Sequence, residues 1–296
     1  VSVLDSTDPS VDPYKSAAAY QLLHTYYETN SFKFLRQAVA SSTFMTNTIV
    51  PKAATYFPNI FDKKPSKLTT KIEHRYYFTG LLMAVGERDD SIGAPATASH
   101  ELMWLYEQAT STIQKRSLHD LAEKEYETAL SRINARLYHN NDQVSAFDTL
   151  IGINHLAIAT DYARDLGIAD TFPGASQYDI VATMSVARPI AWEYVPALRH
   201  FTDYLTLLYS AKYLPSGTEN DAQIDLVAQN IVGKPGEFVT NEYSFAMRSL
   251  VHTKKNDYSS VFRSQNLAII AARSTTMHQF LAQSSGWTDA DFAATK

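Results

Sequence analysis

At 296 residues, with 45% hydrophobic residues and no cysteine, the chain can build a sizeable core but no disulfide, thiolate zinc site or cysteine nucleophile. A formal net charge of −5, with no basic run longer than Lys63-Lys64 or Lys254-Lys255, argues against a dedicated nucleic-acid binder. No apolar run approaches the roughly twenty residues of a membrane span, so a soluble chain is expected.

Charged residues, at 19%, fall below the usual quarter, which suits a surface largely buried against copies of itself, a trait that polar secreted proteins share. Ten Gly and eleven Pro are too few for a chain full of β-turns, so helices are favoured. The chain starts at Val1 without a Met, from which a processed or trimmed start is expected.

Residues 1–12 are expected as an extended arm with little to bury, followed by one domain over 13–296. Asp12-Pro13 supplies a cap and a first-turn proline for a helix carrying Ala17, Tyr20, Leu23, His24 and Tyr27. Asn30-Ser31 breaks it, and Phe34, Leu35, Ala38 and Val39 mark a second helix. From Ser41 to Lys67 the pattern is poor, with prolines at 51, 58 and 65, and a long connection is expected. Ser66–Gly86 is apolar nearly all round, hence a buried helix. After a polar break from Gly86 to Pro95, Leu102, Leu105, Tyr106, Ala109 and Ile113 form a stripe opposite a polar face. These two helices predict a core hairpin with Asp89-Asp90 exposed at its tip.

Ser117 with Asp120 predicts the start of a charged helix reaching Tyr138, and Asn140-Asn141-Asp142 the turn that ends it. The next helix runs to Leu166, with Gly167 as its stop. Ser176 with Asp179 opens another, which Arg188-Pro189 is expected to end. Leu198, Phe201, Leu205 and Leu208 give the strongest amphipathic signal, ended by Pro215-Ser216-Gly217. Thr218 with Asp221 caps a helix to Val232, two more are expected around 238–251 and 257–284, and Thr288 with Asp291 opens a final piece. No stretch alternates with period two between turn dipeptides, so the expected fold is all-α, with about ten to twelve helices and no sheet.

The candidate chemistry lies mostly in Glu73–Ile113. Glu73, His74, Glu87, Asp89, Asp90, His100 and Glu101 are the residue types that acid–base or metal chemistry uses. Asp89-Asp90 after a buried helix resembles the aspartate-rich motif of isoprenoid synthases, and Tyr162–Gly167 is faintly similar to the second motif of squalene and phytoene synthases. That resemblance implies an all-α enzyme holding magnesium against a diphosphate. Ser91-Ile92-Gly93 follows where a third carboxylate belongs, and Asp170 lies at the wrong step after Asp165, so a solvated helix stop is the favoured reading of Asp89-Asp90. His119-Asp120 is similar to the centre of the HD phosphohydrolases, but Asp120 is already expected as the partner of Ser117. His74, His100, His139 and His155 form no HExxH pattern, and no phosphate loop, nucleophile elbow or dinucleotide fingerprint occurs. No catalytic, cofactor-binding or metal residue is assigned, and no cofactor is expected.

Two further stretches carry a different likeness: Pro13-Tyr14-Lys15 through Tyr26-Tyr27 and Phe32 to Phe44, and Phe201-Thr202-Asp203-Tyr204-Leu205 through Tyr213-Leu214-Pro215-Ser216. Together with 18 Tyr, a residue suited to interfaces and equally to a tyrosine-rich core, they resemble the helical coat proteins of small double-stranded RNA viruses, the partitivirus-like group. The resemblance implies a non-enzymatic viral structural protein. Its copies dimerise and close into a shell around RNA, touching the RNA weakly and without sequence preference, so it resides in the virion. The alternatives are the metal-dependent enzyme using Asp89 and Asp90, and a secreted or surface-exposed helical binding protein. Under the coat reading, the arm over 1–12 is expected to contribute to contacts between subunits.

Overall fold

The computed structural model describes residues 3–29, 31–88, 91–137, 143–238 and 263–293. The fold is all-α: among these residues there are fifteen α-helices, four of them only four or five residues long, and no strand. The short helices are the excess over the ten to twelve that periodicity predicts, because a four- or five-residue helix is too brief to show a period. Asp89, Asp90, His139, the turn at Asn140–Asp142 and all but the first residue of the helix expected around 238–251 lie outside the described residues. Backbone contacts divide the chain into two compact units, Val1–Tyr178 and Asp179–Lys296, although no linker signal stands at residue 178.

The first unit holds α1 (Lys15–Thr29), α2 (Phe32–Ala40), the short α3 (Val50–Ala54) and α4 (Pro58–Phe61), α5 (Lys71–Arg88), α6 (Gly93–Gln108), α7 (Thr112–Leu137), α8 (Gln143–Asp165) and α9 (Pro173–Gln177). Residues 45–49 form a π-helical turn that runs straight into α3. Helix α6 is the axis of this unit. It packs on α5, α7 and α8, and every residue from Gly93 to Leu105 is buried. The polar face expected for it does not exist: its small residues (Gly93, Ala94, Ala96, Ala98, Ser99) let neighbours approach on all sides, and its polar residues meet partners inside. The closest approach is at Gly152 of α8, where a Cβ would fall 2.2 Å from the Ile92 side chain.

The N-terminus also departs from the expected extended arm. Residues 9–14 form a 3-10 helix capped by Asp8, whose carboxylate accepts from the Ser10 amide at 2.9 Å. Leu4 is buried, and the Asp5 carboxylate accepts hydrogen bonds from the Ser42 and Thr43 hydroxyls and the Phe44 amide. This segment is therefore tied to its own chain.

Helix starts obey capping chemistry, although not always at the expected residues. Thr70 and Glu73 make a reciprocal pair at the start of α5: the Glu73 carboxylate accepts from the Thr70 amide at 3.1 Å, and Glu73 donates its amide to the Thr70 hydroxyl. Ser117 lies inside α7, which begins at Thr112, so the cap expected of Ser117 and Asp120 is not made. Gly167 is left-handed at the end of α8, and the Ile168 amide donates back to the Ala163 carbonyl, closing that helix as the sequence predicts.

The second unit contains α10 (Ile180–Tyr194), α11 (Arg199–Tyr213), α12 (Thr218–Val232), α13 (Ser264–Arg273), α14 (Thr275–Ser285) and α15 (Asp289–Ala293). Asp179, not Ser176, caps α10, accepting from the Ala182 amide at 3.0 Å. Pro189 does not end α10 but sits within it, on the exposed side of the helix. Helix α11 is the centre of this unit, buried from Phe201 to Tyr209, with α10, α12 and α13 packed on it. The single helix expected over 257–284 is broken at Ser274, which caps α14 through the Met277 amide.

Two side chains hold the second unit's helix ends together. Arg273 at the end of α13 donates to the Ser210, Ala211, Leu214 and Pro215 carbonyls at the end of α11 and pairs with Asp221 of α12 at 2.7 Å. Asp225 of α12 accepts from the Ser274 hydroxyl and from the amide and hydroxyl of Thr276. Burial alone would raise the Asp225 carboxyl, but the Thr276 amide and these hydroxyls hold it below the ordinary aspartate value.

Candidate functional site

A polar seam runs through the interior of the first unit, contributed by α1, α5, α6 and α8. Its strongest element is Arg75 of α5 with Glu101 of α6, both buried, with the guanidinium Nη1 2.5 Å from each carboxylate oxygen. Trp104 covers the Arg75 guanidinium at 5.4 Å from the ring centroid. The His100 Nδ1 lies 3.8 Å from Glu101 Oε1. Beyond it, the His155 ring stands 6.2 Å from His100 and 5.9 Å from His24, centroid to centroid. Tyr20 shares a 2.9 Å hydrogen bond with Thr97, and Tyr162 donates to the Glu107 carboxylate. His155 is held neutral, its pKa well below the ordinary histidine value, first by burial and then by His24 and His100.

The end of that seam explains how the polar break is held. From α8, Asp148 accepts from the Ser91 hydroxyl and the Gly93 amide at 2.9 Å through one oxygen, and from the Ile92 amide at 2.7 Å through the other. A buried carboxylate from another helix thus caps α6, a job that local sequence does not reveal. Arg132 of α7 donates to the Gly86 and Ser91 carbonyls on either side of the break, at 2.9 and 2.7 Å. Replacing Asp148 with Ala orphans two buried amide donors, so urea unfolding is expected to show a loss of about 2–3 kcal/mol.

A second cluster of ionisable groups surrounds Glu87 at the end of α5. Lys52 reaches its carboxylate at 2.7 Å and Lys124 at 3.2 Å. Burial alone would raise Glu87, but Lys52, the Tyr56 phenol and Lys124 together bring it down to about 2. Glu125 of α7 is only 3% exposed. Burial first, and the Glu87 charge with it, push its carboxyl up to about 7 against the pull of Lys124 and Arg132.

The remaining candidates have structural partners. Glu73 caps α5 and is lowered to about 2, chiefly by the Lys63 ammonium at 2.7 Å. His74 bonds the Leu68 carbonyl at 2.9 Å and stacks on Phe32. His119 Nε2 meets the Thr171 hydroxyl at 2.6 Å, while Asp120 points to solvent with its carboxylate 3.5 Å from His119 Nδ1. Asp165 closes the last turn of α8, and Asp170 lies in the short 3-10 turn after it. Asp89 and Asp90 lie outside the described residues. Among the described residues, no group of three or more His, Asp or Glu could hold a metal ion, and no helix is long and apolar enough to cross a membrane.

The second unit presents a different kind of site. On α10, Ala182, Val186, Ile190 and Tyr194 recur every four residues as an outward ridge, with Val186 and Tyr194 each 65% exposed. Trp192 beside it is 41% exposed. Its indole N–H is anchored to buried Asp203 at 3.0 Å, Arg188 reaches the same oxygen at 2.6 Å, and Arg199 lies over the ring. Trp192, beside the ridge, is thus rigidly mounted. The chain matches no family model, no curated protein and no solved structure.

Proposed function

We propose that the chain is a structural assembly subunit, a coat protein of the small double-stranded RNA virus type, whose copies associate into a shell enclosing RNA. The observation that carries this reading is the outward ridge of α10, where Val186 and Tyr194 stand exposed on a helix whose other face is packed. Apolar side chains exposed on a helix gain free energy when a partner covers them. The anchoring of Trp192 by Asp203 means that little side-chain freedom is lost when a partner settles beside it. A closed shell needs more than one kind of contact per subunit, and exposed Tyr14 and Phe34 give the first unit apolar surface of its own. The acidic balance, with 31 Asp and Glu against 26 Lys and Arg, suits a wall that touches RNA weakly.

Sizing chromatography with light scattering, followed by negative-stain electron microscopy across a salt series, tests this reading. The expected result is discrete species larger than a monomer, shifted toward monomer by Val186→Glu with Tyr194→Glu. Both positions are exposed, so the substitutions spare the core. A monodisperse monomer at every salt concentration sinks the proposal.

A further inference from the structure

Between Ile180 and Trp192, α10 exposes Ala182, Ser185, Val186, Pro189 and Trp192 and keeps its other side chains buried or half-buried. Steps of three and four residues put these five on one side of the helix. None of them carries a charge, whereas the outward face of a surface helix is ordinarily charged. The one charged residue in the stretch, Arg188, is turned to buried Asp203 at 2.6 Å. Charge returns only at the two ends of the face, and with opposite sign. Asp179 is exposed at the start, where it caps the helix. At the far end the Arg199 guanidinium lies 5.2 Å from the centroid of the Trp192 ring.

We propose that this face is a twofold contact, in which α10 of one copy packs antiparallel on α10 of a second copy, with the axis passing between Ser185 and Val186. The inference deepens the reading of α10 as an assembly surface. It rests on that reading only in taking the cover to be another copy of this chain, and it does not need the shell.

The charged ends decide the direction and the register. A face with an acid at one end, a base at the other and no charge between them is complementary to itself after half a turn. Antiparallel packing sets Asp179 beside the partner's Arg199, twice over, while parallel packing sets Asp179 on its own copy and costs free energy. Asp179 and Trp192, the ring that Arg199 covers, are thirteen residues apart, so the midpoint falls between Ser185 and Val186. Over that length the two helices run side by side for about 20 Å. The same register opposes Ser185 to the partner's Val186 and Ala182 to the partner's Pro189. Ala182 and Ser185 are small, which lets the helix axes come within about 8–10 Å. Glu193 lies in the last turn of its own helix, the unfavourable end for a carboxylate. In the twofold pair it falls at the start of the second α10, where the helix dipole is positive.

The chain has no cysteine, so introduced cysteines report proximity without background. Ser185→Cys and Val186→Cys are made separately in the full chain and oxidised in air with copper–phenanthroline. Leu226→Cys, exposed on α12, is the control for chance collisions. Each of the first two is expected to form a covalent dimer at least about tenfold faster than the control, because the contact raises the effective concentration of the two thiols. Ala182→Cys and Pro189→Cys should cross-link slowly alone and readily when mixed. A second measurement needs no oxidation. Val186→Glu and Val186→Lys should each run as monomers in sizing chromatography, because like charges meet near the axis, and should dimerise when mixed. Particles larger than a monomer in which neither Ser185→Cys nor Val186→Cys exceeds the control leave the assembly reading standing and overturn the twofold contact. Ala182→Cys and Pro189→Cys that cross-link no better mixed than alone overturn the antiparallel register. Cross-linked dimers with nothing larger uphold the contact and sink the shell. A chain that stays monomeric at every concentration overturns both.

Discussion

Replacing Glu101 with Gln is expected to destabilise the first unit by about 3–5 kcal/mol. Both partners of the Arg75–Glu101 pair are buried, so the substitution takes away the carboxylate charge that meets the guanidinium at 2.5 Å inside the core. His100, 3.8 Å from the carboxylate, adds no negative charge of its own. The pair itself is not expected to be a large net source of stability. Desolvating two ions offsets much of their attraction, so Arg75→Met combined with Glu101→Leu should recover most of what the single change loses. The measurement is a double-mutant cycle by urea unfolding, with Trp104 as the reporter because it sits on the Arg75 guanidinium. A loss below about 1 kcal/mol for Glu101→Gln would show that the charge finds water or a new partner, and would remove the seam from the fold's energetics.

That pair also marks where sequence reading stops being informative. The all-α class is legible because hydrophobic period and sparse turn chemistry act locally, and so are the ends that local groups define, such as Gly167 after α8 or Thr288 with Asp291 before α15. Helix α6 is different. His100-Glu101 looks like a solvated face because both residues are polar, yet the partner that buries Glu101 lies 26 residues earlier on another helix. The same holds for Asp148, which caps α6 from 55 to 57 residues away. Ser117 and Asp120 have the right spacing for a cap, but spacing alone does not stop the helix from starting five residues sooner. Pro189 shows the converse error, since a proline on the exposed side of α10 is tolerated when the helix is held by packing on its other face. The run of small residues in Gly93–Ser99 was the one visible hint that α6 is surrounded. The exposed ridge of α10 is invisible in the sequence because an outward Val and an inward Val look alike.

Glu125→Gln is expected to stabilise the protein by about 3 kcal/mol at pH 8 and to change little at pH 4. The carboxyl moves from an ordinary 4.5 to about 7 in the folded state, because burial and the neighbouring Glu87 charge disfavour the ionised form. The folded protein thus binds this proton more tightly than the unfolded chain does. Its contribution is complete below pH 4.5, declines as the pH rises through 7, and then levels off. Gln keeps the shape of the protonated acid and has nothing to ionise, so it retains the low-pH packing at every pH. Denaturation midpoints between pH 4 and 8.5 should therefore converge for the two proteins at the acid end and separate above pH 5. Glu87→Gln supplies an independent check. It removes the like charge and leaves Lys52 and Lys124 without their carboxylate, so the Glu125 titration should move down toward its ordinary value. Parallel pH curves for the unsubstituted chain and Glu125→Gln would mean that this carboxylate ionises without cost, which its burial on α7 makes physically inconsistent.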